Sequence, residues 1–480
     1  MVKVRKSHRA NSATLNNKIY LGAGALVGFI IVLCTTTGKN KTQLKPQRIG
    51  SSNVLDDVSG SSIMSDRKKI VQSNKAALVV AKQRNTSNSN AERPSECTRD
   101  QLLTVRSHLY PRLSLESLQS PWEQKSGITK MTKCPNPSNW LDEYYLELQE
   151  EYKQLKTSSS NGNSNSNIKD DSLNFPFVGM SVGCNKGFDA LNTLRMGTFD
   201  ASLVKSDWNK AMTDGDKLYH SVCKQSSTES FQVDEELVLK QQPREGSVHC
   251  FEPMPNTFKK LQKSAESLGY DKKGFKVVNG AVSKDEGKTY FKTKLEAGVE
   301  NQGLGNACSA KSTNCDEVDI LTLEKYVDNH VDSDGPIHIL QIDVEGFDGD
   351  VMLGAGDSVL KRVEYLEFEY NWMGSWENQH LYDMIDMLDQ KDFTCYWAGN
   401  EKLWRITGCW MQYFDVHLWS NVACVNRSRV PRLAYKMEDV FQKTLKATDV
   451  ELDKEEVDES LHEILSTDAA KMSLHYLPKK

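Results

Sequence analysis

Residues 336–346 read PIHILQIDVEG. Ile337, Ile339, Leu340 and Ile342 make the run apolar on both alternating positions, without the polar phase of a half-exposed strand. Such a run predicts a strand covered on both faces, as in the parallel sheets of α/β proteins. It ends in two carboxylates, Asp343 and Glu345, with Gly346 directly after. Ligands of open α/β sheets bind outside the carboxyl ends of the strands, so this tip predicts a cleft that both acids face. His338, inside the run, is expected to be a satisfied core residue.

Working outward, similar runs lie at 175–183 (FPFVGMSVG), 247–253 (SVHCFEP), 275–282 (FKVVNGAV) and 363–370 (VEYLEFEY), with helical patterns such as 256–268 and 349–360 between several of them. Alternation of this kind predicts an α/β, Rossmann-like, doubly wound and mostly parallel sheet. The first run ends in Gly183-Cys184-Asn185-Lys186-Gly187 before a helical stretch. A strand, a glycine turn and a helix N-terminus together can cradle a nucleotide, because glycines admit close backbone approach and the first turn offers unpaired N–H groups. The second run ends in Glu252-Pro253, and a carboxylate at that tip suits the two hydroxyls of a ribose. Glu252 stands about 70 residues beyond Gly183, where a dinucleotide fingerprint places its acid at about 20. Either an insertion at 200–245, serving as a lid or acceptor-binding element, accounts for the difference, or the two motifs do not pair.

The 480-residue chain carries a net charge of −5 with no long basic run, so nucleic acid is not an expected partner. Its eleven cysteines contain no C-x-x-C pair, which argues against a structural zinc site. Cys308 and Cys315 can close a small disulfide loop. No third ligand accompanies Asp343 and Glu345, and no metal is expected there. Six tryptophans, Trp372, Trp376, Trp397, Trp404, Trp410 and Trp419, crowd the region after 370. Core and hairpin packing is their expected role, with stacking on a sugar acceptor as the alternative.

Residues 19–37 (IYLGAGALVGFIIVLCTTT) carry no charge and approach the ~20 residues of a transmembrane helix. Basic residues precede them, which predicts a cytosolic tail over 1–18. The expected organisation continues with a disordered stem over 38–96, a helical pre-domain over 97–156, a low-complexity hinge over 157–171, the α/β domain over 172–435 and an acidic helical tail over 436–480. In the pre-domain, Leu141, Tyr144, Leu148, Tyr152 and Leu155 recur at helical spacing. The anchor implies a single-pass membrane protein with its main domain lumenal, in the Golgi or endoplasmic reticulum; a cleaved signal peptide is the alternative reading of the same stretch. The acceptor tripeptides at Asn40, Asn85 and Asn426 fit that topology.

Taken in order, VGCNKG, FEPMPNTFKKLQ, VVNGAVSKDEG, ILTLEKY, IDVEGFDGDVMLGA and EYLEFEY resemble the FkbM family of S-adenosylmethionine-dependent methyltransferases, over roughly 175–427. The resemblance implies a class I methyltransferase fold and S-adenosylmethionine as cofactor. By carry-over, Gly183, Asn185 and Gly187 line the cofactor loop, Glu252 holds the ribose, Asn279 and Ala281 lie near the adenine, and Asp343 and Glu345 face methyl transfer. It further implies O-methylation, with a small molecule or a glycan hydroxyl as acceptor and Asp343 or Glu345 as base. One departure stands out. The family carries an acid two positions before the first glycine, and this chain has Ser181. That departure keeps a catalytically silent binding module as an alternative. A nicotinamide-dependent enzyme is a third reading, disfavoured because the turn lacks G-x-G-x-x-G.

Overall fold

The computed structural model describes residues 93–109, 127–132, 139–160, 171–213, 243–300, 302–306, 308–309, 312–331, 335–411, 414–415 and 417–447. The chain divides into units 1–86 and 87–480, and the first lies wholly outside the described residues. So do the apolar stretch at 19–37 and nearly all of the proposed stem. Among the described residues no helix is long and apolar enough to cross a membrane. The expected anchor and stem, the membrane as partner and the lumenal placement built on them are therefore withdrawn.

Three helices lead in: α1 (Arg99–Leu109), α2 (Gly127–Thr132) and α3 (Asn139–Ser160). The stripe on α3 buries Leu141, Tyr144, Leu148 and Tyr152 in one core with Phe177 and the sheet. At ~1.5–3 kcal/mol per large buried side chain, that stripe is what holds the helix on the domain. The helix runs to Ser160, three serines into the expected hinge; the rest of that hinge up to 170 lies outside the described residues.

Strand β1 (Phe177–Val182) is followed by α4 (Phe188–Thr198) and α5 (Lys205–Thr213). Of the expected insertion, residues 200–213 and 243–245 are described, and Trp208 of α5 is fully buried against Tyr270 and Phe275. Strand β2 (Gly246–Glu252) leads into α6 (Pro255–Leu268), which Pro255 opens and Gly269, at φ +67°, closes. There follow β3 (Phe275–Asn279), β4 (Ala281–Val282), β5 (Gly287–Lys292), β6 (Cys315–Leu321) and α7 (Leu323–His330). The chain continues through β7 (Ile337–Ile342), α8 (Asp348–Leu360), β8 (Val363–Tyr370), α9 (Leu381–Asp389), β9 (Phe393–Gly399), β10 (Lys402–Arg405), β11 (Ser420–Asn426) and α10 (Pro431–Thr444).

The main sheet has the order β10-β9-β11-β8-β7-β1-β2-β3, and β4-β6-β5 form a second, small sheet. Strands β3, β2, β1, β7 and β8 run parallel, whereas β11 is antiparallel to both β8 and β9, and β10 turns back on β9. The sheet is thus mixed, which corrects the mostly parallel expectation. The reason is local: Asn400 and Glu401 join β9 to β10 in a hairpin, a connection open only to antiparallel strands. Trp376, Trp397 and Trp404 are fully buried here, and Trp372, Trp410 and Trp419 are half-buried. His338 is buried, with Nδ1 accepting the Val178 N–H at 3.1 Å.

Four disulfides pair all eight described cysteines: Cys97–Cys409, Cys184–Cys250, Cys308–Cys315 and Cys395–Cys424. Asn426 is 2% exposed, and its Oδ1 accepts the backbone N–H groups of Ser428 and Arg429. It is a structural turn residue, not an accessible acceptor for a glycan. Asn40 and Asn85 lie outside the described residues.

Candidate active site

Parallel register decides which side chains meet. Val278, Phe251, Val182, Ile342 and Phe368 lie in one row across β3, β2, β1, β7 and β8. One residue further along each strand, at the carboxyl edge, stand Asn279, Glu252, Gly183, Asp343 and Glu369. Four of these five are residues that the motifs single out. The fifth, Glu369, is hidden in sequence because EYLEFEY alternates like any strand. The chain order of the connections reverses between β1 and β7, and such a switch point opens a crevice for ligands.

The glycine turn is stitched to its neighbours on both sides. The N–H groups of Gly183 and Cys184 donate to Phe251 O at 3.1 and 2.9 Å, and the N–H of Asp343 donates to Val182 O at 2.9 Å. Gly183 has φ +83°, and a Cβ there would fall 1.7 Å from Asp343 O, so backbone contact itself demands glycine. Gly187, at φ +72°, opens α4 with Leu261 and Trp208 packed against it. Asn185 is left-handed, with φ +46°, and its Oδ1 is buried with no hydrogen-bond partner. Trp208 Nε1 donates to Lys186 O at 2.9 Å and holds the turn from beneath.

The Glu252 carboxylate is 4% exposed and accepts two backbone N–H groups, from Asn185 and Met254, each at 2.8 Å. Burial pushes its pKa up to about 7 against the pull of those two donors. Asn279 pairs with Glu252 in register and is exposed. Ala281 does not join the row: it sits in β4 of the small sheet, 4% exposed, in an apolar cluster with Met254, Phe291 and Val318.

Asp343 keeps solvent-accessible surface, yet its carboxyl is raised well above its usual range by burial and then by Glu345, Asp348, Asp189 and Glu300. Both observations hold for a group on a cleft wall, open on one side and enclosed on the others. Asp189 is also accessible and shifted upward by burial, opposed by Lys205 and Lys186. Burial, together with Asp343, Asp348 and Glu345, raises Glu369 well above its usual range; Glu367 is pushed up to about 7 by burial, which the Tyr365 hydroxyl opposes. Asp348, fully buried at the first turn of α8, is pushed up to about 8 by burial; its Oδ2 has no partner. Glu345 has φ +58° and Gly346 φ +95°, so the tip of β7 turns sharply in a left-handed conformation. Gly346 O accepts the Ser375 N–H at 2.9 Å.

The segment between β5 and β6 straps these turns together, a feature with no sequence motif. Asn256 Nδ2 donates to Thr293 O and Leu295 O at 2.7 and 2.8 Å, and the Gly298 N–H donates to Thr257 Oγ1. Glu300 pairs with Lys186 at 2.7 Å. A Cβ on Gly303 would lie 3.0 Å from Val344 O and Glu345 O. The Cys308–Cys315 disulfide closes the far side of the segment.

A cavity of about 730 Å³ opens at the opposite, amino-terminal edge, lined by Arg244, Lys272, Lys273, Lys276 and Arg362 among others. Its buried cation is already satisfied: Arg244 donates to Phe175 O and Ser172 O. Sheet polarity and the carboxylate row both put the candidate site at the carboxyl edge.

No curated protein and no solved structure matches the chain. Residues 228–395 match the methyltransferase FkbM domain. The matched stretch is shorter than the resemblance over 175–427. It contains Glu252, Asn279, Ala281, Asp343 and Glu345, while Gly183, Asn185 and Gly187 precede it and are tied to it by the backbone bonds above. Over this stretch, about a third of its length, the chain is similar to the methyltransferase FkbM domain.

Proposed function

We propose that this domain binds S-adenosylmethionine at the carboxyl edge of β1, β2 and β7 and transfers its methyl group to a hydroxyl of a small molecule or glycan. The observation that carries the reading is the excess of carboxylates there. Beyond burial, Glu345, Asp348, Asp189 and Glu300 raise the proton affinity of Asp343, and Asp343, Asp348 and Glu345 raise that of Glu369, with Lys186 and Lys205 as nearby cations. A ligand bearing a sulfonium and an ammonium relieves that repulsion. A dinucleotide pyrophosphate would add to it, which weighs against the nicotinamide reading. Fit is also local: Glu252 retains lone pairs for a ribose diol beyond its two backbone donors. Asp189 and Glu300 bring acid to the cleft where Ser181 does not, which answers the main argument for a silent module.

When bound, the cofactor supplies an electrophilic methyl group on a sulfonium. Glu252 and the 183–187 turn would hold and orient the nucleoside, and such alignment would lower the barrier to in-line transfer. Asp343, whose proton affinity burial and its carboxylate neighbours raise, would take the acceptor hydroxyl's proton onto its carboxylate as the methyl group passes from the sulfonium, which leaves as a neutral thioether. Glu345, two residues beyond it in the left-handed turn, sustains that affinity.

Calorimetric titration of the full chain with S-adenosylmethionine and with NAD tests the proposal. Saturable binding of the first alone is expected, weakened at least about tenfold in Glu252→Ala. Absent binding, or equal binding in the variant, overturns the assignment.

A further inference from the structure

At the β8 end of the same edge, three side chains lie together that methyl transfer does not use. His380 Nδ1 is 2.6 Å from Asp415 Oδ2, and His417 Nε2 is 3.5 Å from Asp415 Oδ1. One ligand atom from each of the three lies within 4.8 Å of the others. We propose that His380, Asp415 and His417 bind a divalent transition-metal ion of the zinc type, leaving one coordination position open to an oxygen ligand.

Ligand chemistry supports this. Two imidazoles and one carboxylate are a donor set for zinc or iron, and three protein ligands with a vacant fourth position are the pattern of reactive rather than structural zinc sites. With metal–ligand bonds of ~2.0–2.2 Å, neighbouring ligand atoms stand ~3–3.5 Å apart. The His417–Asp415 separation already has that value. The His380–Asp415 contact is shorter, a hydrogen bond through one proton. An ion takes the place of that proton, and the imidazole stays neutral by carrying its hydrogen on Nε2. The His380 side chain is 49% exposed and can move outward, while those of Asp415 and His417 are 21% and 13% exposed. The open position therefore faces solvent on the His380 side.

The surroundings are built rather than incidental. Asp415 Oδ1 accepts the Tyr370 hydroxyl at 2.6 Å and the Leu381 N–H at 3.2 Å, outer contacts of the kind that orient a ligating carboxylate. His417 has φ +49°, an uncommon conformation for a non-glycine residue and one that clusters at functional sites. Tyr370 ends β8 and pairs with Ser420, which begins β11. The three side chains thus stand just past Glu369, at the opposite end of the carboxyl edge from Asn279. None of this depends on the methyl-transfer reading.

Chelator-treated full-length protein is titrated with Co²⁺ and followed by visible absorption. The expected result is saturation at one ion per chain with ligand-field bands of low coordination number, displaced by Zn²⁺, and affinity at least tenfold weaker in His380→Ala and in His417→Ala. Because Asp415 keeps its Tyr370 and Leu381 donors, His380→Ala retains the fold, which circular dichroism checks independently. No saturable binding to the parent protein, or equal binding to a folded His380→Ala, overturns the proposal and leaves the three residues as a hydrogen-bonded clasp on the β10–β11 connection.

Discussion

The Glu252 carboxylate at the tip of β2 and the backbone N–H of Asn185 in the glycine turn meet at 2.8 Å. This bond joins the two motifs whose wide separation in sequence left their pairing open. It also makes Glu252 a structural residue before any ligand binds. Glu252→Ala strands two buried N–H groups, those of Asn185 and Met254, each worth ~1–3 kcal/mol when unsatisfied. Chemical denaturation is expected to show a loss of about 2–4 kcal/mol, so its effect on ligand affinity must be read at temperatures where the variant is folded.

Stability should fall as pH rises from about 4 to 8 in the absence of ligand. Glu252 and Asp348 hold their protons in the folded state to about 7 and about 8, whereas the unfolded chain releases them near the ordinary carboxylate value. Over that window the unfolded state binds fewer protons, and raising the pH favours it. Asp343, Glu367 and Glu369 shift in the same direction. For Glu252 the penalty is roughly 3 kcal/mol once pH exceeds 7. Urea midpoints at pH 5 and pH 8 check the sign; a higher midpoint at pH 8 contradicts it.

Gly183 is expected to tolerate no side chain. Its φ of +83° strains any L residue, and the Cβ of Gly183→Ala would collide with Asp343 O. Backbone rather than a flexible side chain must give way, so a loss of about 2 kcal/mol or more is expected in thermal melts. Gly269→Ala serves as control, having a similar φ but no atom within 4 Å.

The Cys184–Cys250 disulfide staples the glycine turn to β2 across a sequence separation of 66. Replacing both cysteines by serine is expected to cost ~2–4 kcal/mol through the freed unfolded state. Ligand affinity should fall as well, because the turn loses one of its ties. Paired denaturation and titration of the double variant separate these two effects.

Much of this edge was legible because buried parallel strands advertise themselves twice, by continuous apolar runs and by what terminates them. FEP and DVEG mark strand tips, and the shared register then forces Glu252, Gly183 and Asp343 into one row. Glu369 was not legible, since nothing in EYLEFEY distinguishes a cleft residue from a strand's polar phase. Asp348 sits in an ordinary helix start, FDGD, and only its burial sets it apart. Cys184 and Cys250 lie far apart in the chain and meet only because β1 and β2 are neighbours. The cluster of His380, Asp415 and His417 comes from a helix start and a separate loop, with no spacing to announce it. The placement of Ala281 was hidden for the opposite reason: FKVVNGAV reads as one strand, but the chain leaves the main sheet after Asn279 and β4 pairs elsewhere.

The most direct test of the central claim, that a cation relieves a crowded row of carboxylates, is proton release on binding. Calorimetry of S-adenosylmethionine with the full chain near pH 7, in two buffers of different ionisation enthalpy, measures it. Net release of protons is predicted, because a positive ligand and a ribose diol both favour the ionised forms of Glu252 and Asp343. Binding with no release, or with proton uptake, would contradict the account.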